Sequence, residues 1–196
     1  MIGDLEKIKE EVLKCQKCPL YQERIKNGFY PVVGEGDHRA EIVFIGEAPG
    51  LSEAKTGRPF CGAAGKILDE LLESVDIKRE EVYIANILKD RPPENRNPQK
   101  EEIAACASYL DRQLEAISPK IICTLGNFST AYILEKYGLK EKIQGISKIH
   151  GQVFEVKGLS PELKIVPLYH PAVATYNINM KEILKNDFKV LKELGQ

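Results

Sequence analysis

Short apolar runs, each too brief for a buried helix, punctuate this chain: 41–46, 82–86, 121–125 and 164–168, with Val153 to Val156 as a further short run. Segments with helical spacing separate them. Ile67, Leu68, Leu71, Leu72 and Val75 share one face of the first such segment; Ile103, Cys106, Ala107, Leu110, Leu114 and Ile117 share one face of the next. Strand and helix in alternation leave few choices. They predict a three-layer α/β/α fold around a central, mainly parallel, four-stranded sheet. At 196 residues, with no repeats, low-complexity tract or evident linker, residues 1–196 are expected to form one domain.

At the chain's start, Leu5, Ile8 and Val12 mark a helix that Pro19 ends, and a Gly- and Pro-rich loop is expected from there to residue 41. Asn97 is expected to cap the long central helix with Pro98 at its first position. Residues 138–150 read as a basic loop, and a last helix as running from about Asn179 to Leu194.

Charge weakens some readings without excluding them. The 28 basic and 29 acidic side chains nearly cancel, so nucleic acid would have to be met by a local basic patch. No apolar run approaches the roughly 20 residues that span a bilayer. Five cysteines without a signal peptide suit an intracellular protein with free thiols or metal ligands. The abundance of Lys, Glu and Ile fits a heat-adapted source.

The densest chemistry follows the first predicted strand, in Gly46-Glu47-Ala48-Pro49-Gly50 and Gly57-Arg58-Pro59-Phe60. Open parallel sheets bind ligands beyond the carboxyl ends of their strands. Three strands deliver polar groups there: Glu47, Asn86 and His170. With Phe60 they form a set suited to a planar heterocycle, which Phe60 would stack on and Asn86 would read, while His170 met developing negative charge. Singly, each residue also has a structural reading: Glu47 as a turn cap, Phe60 as core, Asn86 as a loop tie, His170 as a ring before proline. Convergence at one sheet edge favours the functional one.

These segments, with Cys15-Gln16-Lys17-Cys18, Gly62-Ala63-Ala64-Gly65-Lys66, Arg91-Pro92-Pro93-Glu94-Asn95-Arg96, Cys106 and His170-Pro171-Ala172, resemble the family 4 uracil-DNA glycosylases, the iron–sulfur branch of that superfamily. The resemblance covers nearly the whole chain. It implies hydrolysis of the N-glycosidic bond of uracil in DNA, leaving an abasic site. Glu47 matches the acidic residue beside the sugar and the attacking water. Phe60 matches the ring stacked on uracil, Asn86 the asparagine that reads its edge, and His170 the histidine at O2. Gly46 and Ala48 fall in the same substrate-binding loop. The implied partner is uracil-containing DNA, single- or double-stranded, with a sliding clamp as a further candidate; the expected state is a monomer.

The family holds a [4Fe–4S] cluster on four cysteines. Cys15, Cys18 and Cys106 match three of them, but the fourth position is Asp90. The favoured reading is three thiolates plus the Asp90 carboxylate, a harder ligand. A three-iron cluster, an empty site and a zinc site stay open. Cys61 is expected in the active-site wall and Cys123 in the core. Lys55, Arg58, Lys66, Lys89, Arg91, Arg96 and Lys148 are candidate phosphate contacts. The loop after His170, where the family carries an apolar wedge, offers Val173 or Tyr176. The alternatives are a divergent member acting on another deaminated base such as hypoxanthine, or an iron–sulfur protein that binds uracil or DNA without catalysis. A nucleotide-binding enzyme fits less well, because the loop has neither phosphate-binding fingerprint.

Overall fold

The structure, a computed structural model, describes residues 2–158 and 162–194. A six-stranded sheet organises it. Four parallel strands form its centre: β2 (Ile42–Gly46), β3 (Tyr83–Asn86), β4 (Ile121–Leu125) and β6 (Leu163–Leu168), in the order β3-β2-β4-β6. These are the expected four. The two further strands are short antiparallel edges, β1 (Glu35–Gly36) on β3 and β5 (Phe154–Val156) on β6. Two residues cannot show a strand period, so β1 had no sequence signal.

Both faces of the sheet are covered, which is why the central strands are apolar at nearly every position. Val43 and Ile45 point to one side with Ala85, Ile122 and Ile165. They pack there on Leu110 and Leu114 of α5 (Lys100–Ile117) and Ile8 and Val12 of α1 (Ile2–Leu13). Phe44, Ile84, Cys123 and Val166 point the other way. Their partners are Leu68 and Leu72 of α4 (Ala63–Glu73) and Phe188 of α9 (Met180–Leu194), whose ring stacks on Phe44 at 5.8 Å between centroids. Cys123 is thus a core residue, as expected.

Three local readings are corrected. The segment after Pro19 is not loop throughout: α2 (Leu20–Asn27) occupies it, closed by Gly28 in the left-handed conformation. α5 starts later than Asn97. Gln99 is its N-cap, and the Glu102 carboxylate folds back to accept the Gln99 backbone N–H at 2.8 Å, which fixes the start of the helix there. Within 138–150 lie a 3₁₀ turn, Lys140–Lys142, and a short helix, α7 (Ile146–Ile149). The remaining helices are α3 (Leu51–Thr56), α6 (Asn127–Lys136) and α8 (Val173–Tyr176). No helix among the described residues is long and apolar enough to cross a membrane.

Candidate active site

Parallel register brings the strand ends together. Gly46 pairs with Asn86 at the carboxyl ends of β2 and β3. Glu47 follows β2 directly, and His170 follows β6 within two residues. Gly46 is a floor with no room above it: a Cβ there would overlap both Asn86 Oδ1 and the Phe60 ring. Only glycine lets those two groups close over the strand end. Phe60 lies 5.5 Å from the His170 ring, centroid to centroid, at an interplanar angle of 29°.

A cavity of about 290 Å³ opens above this floor, lined by Ala48, Gly50, Glu53, Phe60, Ala64, Asn86, Asn95, His170, Ala172 and Tyr176. A second, of about 310 Å³, adjoins it through Ala48, Gly50, Asn95 and His170 and is walled by Glu47 and Arg96. Asn86 is 1% exposed, and its Oδ1 is the single buried side-chain oxygen or nitrogen among the described residues that lacks a hydrogen-bond partner. A buried polar atom left unpaired costs about 1–3 kcal/mol. Such a cost persists where a ligand removes it.

The proton on His170 can be placed. The backbone N–H of Ala172 donates to its Nδ1 at 3.2 Å, so Nδ1 carries a lone pair. Burial lowers the ring's pKa to about 4, partly opposed by the charge of Glu53. A neutral ring with Nδ1 accepting must hold its proton on Nε2. The imidazole is therefore a fixed hydrogen-bond donor. Glu47 is shifted the other way: burial raises its carboxyl above the usual range, as suits a base or a water-orienting group near neutral pH.

The backbone around Asn86 is anchored from below. Lys89 Nζ donates to Asn86 O at 2.9 Å, to Gln113 Oε1 at 2.8 Å and to Val33 O at 3.2 Å. Lys89 is 2% exposed, and burial pulls its pKa down to about 7. It cannot reach DNA phosphate, which corrects the sequence expectation. Lys55 and Lys66 are exposed. Arg91 donates through Nε to Asn95 Oδ1 at 2.8 Å. Arg58 grips Glu35 through Nε and Nη2, and Arg96 grips the buried Glu102 through Nη1 and Nη2.

Three thiols and Asp90 gather beside the pocket. Cys18, Cys106, Leu20, Leu88 and Ala48 share one apolar cluster, and the Cys15 thiol lies beside Tyr109. The neighbouring Cys106 thiol lowers the pKa of Cys18 to about 7 and has its own pushed up. Asp90, however, is already paired. Arg24 Nη1 lies 2.9 and 3.1 Å from its two oxygens, both side chains are nearly sealed from solvent, and Arg24 Nη2 donates to Cys15 O at 2.7 Å. Burial raises the Asp90 pKa and Arg24 opposes the rise. No three His, Cys, Asp or Glu side chains among the described residues converge on a point as one metal ion requires. Cys61 Sγ lies 3.2 Å from Thr56 Oγ1, and Cys61 does not line the cavity.

Two pocket residues escaped the sequence reading. Glu53, in α3, accepts backbone N–H groups from Cys61 and Gly62. Asn95 lies inside the quoted Arg-Pro-Pro-Glu-Asn-Arg segment and lines both cavities. Its backbone is left-handed, φ 55, following Glu94 at φ 54, a conformation the structure shows and the sequence does not announce.

The family model of the uracil DNA glycosylase superfamily matches residues 33–192. The chain is 50% identical to the type-4 uracil-DNA glycosylase of Sulfurisphaera tokodaii over 99% of its own length and 86% of that protein's. It is 44% identical to the type-4 enzyme of Archaeoglobus fulgidus, over 97% of this chain and 92% of the relative. To that of Thermotoga maritima it is 40% identical, over 96% and 93%. With likeness running through nearly the whole chain, this protein belongs to the uracil DNA glycosylase superfamily, among its type-4 members.

Proposed function

We propose that this chain excises uracil from DNA by hydrolysing its N-glycosidic bond, with Glu47, Asn86, Phe60 and His170 as the working groups. One observation carries the reading. The orphaned acceptor Asn86 Oδ1 shares a cavity with a fixed donor, His170 Nε2–H, above the ring of Phe60. Uracil offers the complement: its N3–H for Oδ1, its O2 for Nε2–H and a flat face for Phe60.

Extrusion of the nucleotide costs a few kcal/mol and is least costly at a mismatch. As the N1–C1′ bond breaks, its electron pair leaves with the base, placing negative charge near O2, while the sugar becomes cationic. The Nε2–H of His170 meets the first charge and the Glu47 carboxylate the second. Glu47 also orients the water that attacks C1′ and takes its proton. A positioned acid or base contributes about 10²–10⁴-fold, and fixed dipoles such as the neutral imidazole add to it without reorganising. Gly46 and Ala48 supply the floor and wall.

DNA is held by phosphate contacts from Lys55, Lys66 and Arg91, with Arg58 through the Nη1 outside its pair with Glu35 and Arg96 through the Nε outside its pair with Glu102. Tyr176, 90% exposed at the rim of the cavity, is suited to fill the space a flipped base vacates. Val173 is half-buried and less available.

The donor set beside the pocket fits an iron–sulfur cluster at three corners. Cys15, Cys18 and Cys106 would supply thiolates, and a Cys18 pKa of about 7 favours the ligating form. Asp90 takes the sequence position of the fourth ligand and would add its carboxylate, which is paired with Arg24. A bound cluster would tie the segment after α1 to α5. Protein purified anaerobically should be brown and carry iron and sulfide; colourless, iron-free protein would remove the cluster from the reading.

The activity test uses single-stranded, G·U, A·U and hypoxanthine-containing DNA, followed by alkaline cleavage of abasic sites. Scission at uracil that disappears in Asn86→Ala and His170→Ala is the expected result. Unchanged scission in those variants would overturn the site assignment.

A further inference from the structure

Phe60 holds a backbone conformation, φ 47, that residues other than glycine rarely adopt without support. The support comes from another element. Gly62 is the N-cap of α4 and has no side chain with which to cap it. Glu53, projecting from α3, provides the missing acceptor: its Oε1 takes the N–H of Cys61 at 3.0 Å and the N–H of Gly62 at 2.9 Å. Those are the two amides that immediately follow Phe60. Beyond them the Phe60 carbonyl rests on Gly65 of α4, where any Cβ would overlap it. The residue is clamped between a carboxylate and a bare patch of helix. Its ring is thereby delivered over Gly46 and beside His170.

Glu53 is otherwise an odd feature of this pocket. It is nearly buried, lines the cavity and is an acid where a departing base becomes an anion. Its two amide bonds and the start of α4 offset that charge. A role in shaping the pocket explains its presence better than a role in the chemistry. We propose that Glu53 is a positioning residue which, through the Cys61 and Gly62 amides, holds Phe60 in the left-handed conformation that sets its ring against the base. This rests on Phe60 being the stacking ring.

The probe is free uracil, whose affinity is read from inhibition of excision by the full-length protein and its variants. Phe60→Ala and Glu53→Ala should each weaken uracil about tenfold or more, the loss expected when a base forfeits its aromatic platform. Because one acts through the other, the double variant should be no weaker than Phe60→Ala alone. Glu53→Gln, whose amide oxygen can accept the same two N–H groups, should keep most of the affinity. Multiplying losses in the double variant, wild-type affinity in Glu53→Ala, or a Glu53→Gln as poor as Glu53→Ala would each overturn the proposal. If Phe60→Ala itself leaves uracil affinity unchanged, the stacking reading fails, and the inference with it. Should Glu53→Ala not fold, Glu53→Asp, too short to reach both amides, gives the same readout.

Discussion

Asn86 and Asp90 stand four positions apart on one stretch of chain, and both are almost wholly buried, yet they treat their polar atoms in opposite ways. Asn86 leaves an oxygen with no partner. Asp90 has both oxygens on Arg24, which in turn is bonded to the Cys15 carbonyl. The first arrangement sacrifices stability and, in the proposed function, is the one an incoming base completes. The second completes itself. Near one another in space, they divide the work: the base pocket is poised for a ligand, and the cysteine corner is braced whatever it holds.

The largest expected effect on activity lies on the pocket side. His170→Ala should cut single-turnover excision about 10²–10³-fold, the usual cost of one lost donor to a developing anion, with little change in unfolding free energy. Asp90→Ala should do the reverse. It strands the buried Arg24 cation, and should cost about 3–5 kcal/mol in chemical denaturation. Joint replacement of Arg24 by Met and Asp90 by Leu should recover most of that loss. A His170→Ala protein that is severely destabilised, or an Asp90→Ala protein as stable as the parent, would break the division.

Smaller effects sharpen it. Tyr176→Ala should weaken binding to uracil-containing duplex by about 1–3 kcal/mol, and binding to single strands by less, as equilibrium titrations at fixed salt would record. The smallest is a pH dependence. Glu47 must be ionised to act, and burial raises its pKa, so excision should fall on acidification at a higher pH than for an ordinary carboxylate. His170, with a pKa of about 4, stays neutral between about pH 5 and 8 and should add no inflection there. Glu47→Gln should flatten the acid limb of the rate profile.

What could be read from the chain alone follows the same line. Glu47, Asn86 and His170 were legible because parallel strands put their carboxyl ends on one edge, whatever lies between them in sequence. The central strands were legible because burial on both faces makes them uniformly apolar. The Arg24–Asp90 pair was not: its partners lie 66 positions apart, and Arg24 sits on α2, a helix of eight residues with too little apolar period to announce itself. Glu53 was missed for a similar reason. Its function depends on a left-handed Phe60, and that conformation is imposed by contacts no local pattern encodes. Arg58 and Lys89 looked alike as basic residues near the pocket; only packing separates an exposed ion pair from a buried anchor.

The two minor strands at the margins of the sheet have a consequence for life in crowded or heated solution. A parallel sheet ending in a long bare strand would offer its unpaired amides and carbonyls to any neighbouring chain. Here the margins are a two-residue and a three-residue ribbon running the opposite way, Glu35–Gly36 and Phe154–Val156, the first carrying a charge and the second another at Glu155. Such stubs give an intruding strand almost nothing to grip. Self-association by sheet extension, a common route from partial opening to precipitation, is closed at both ends before it begins.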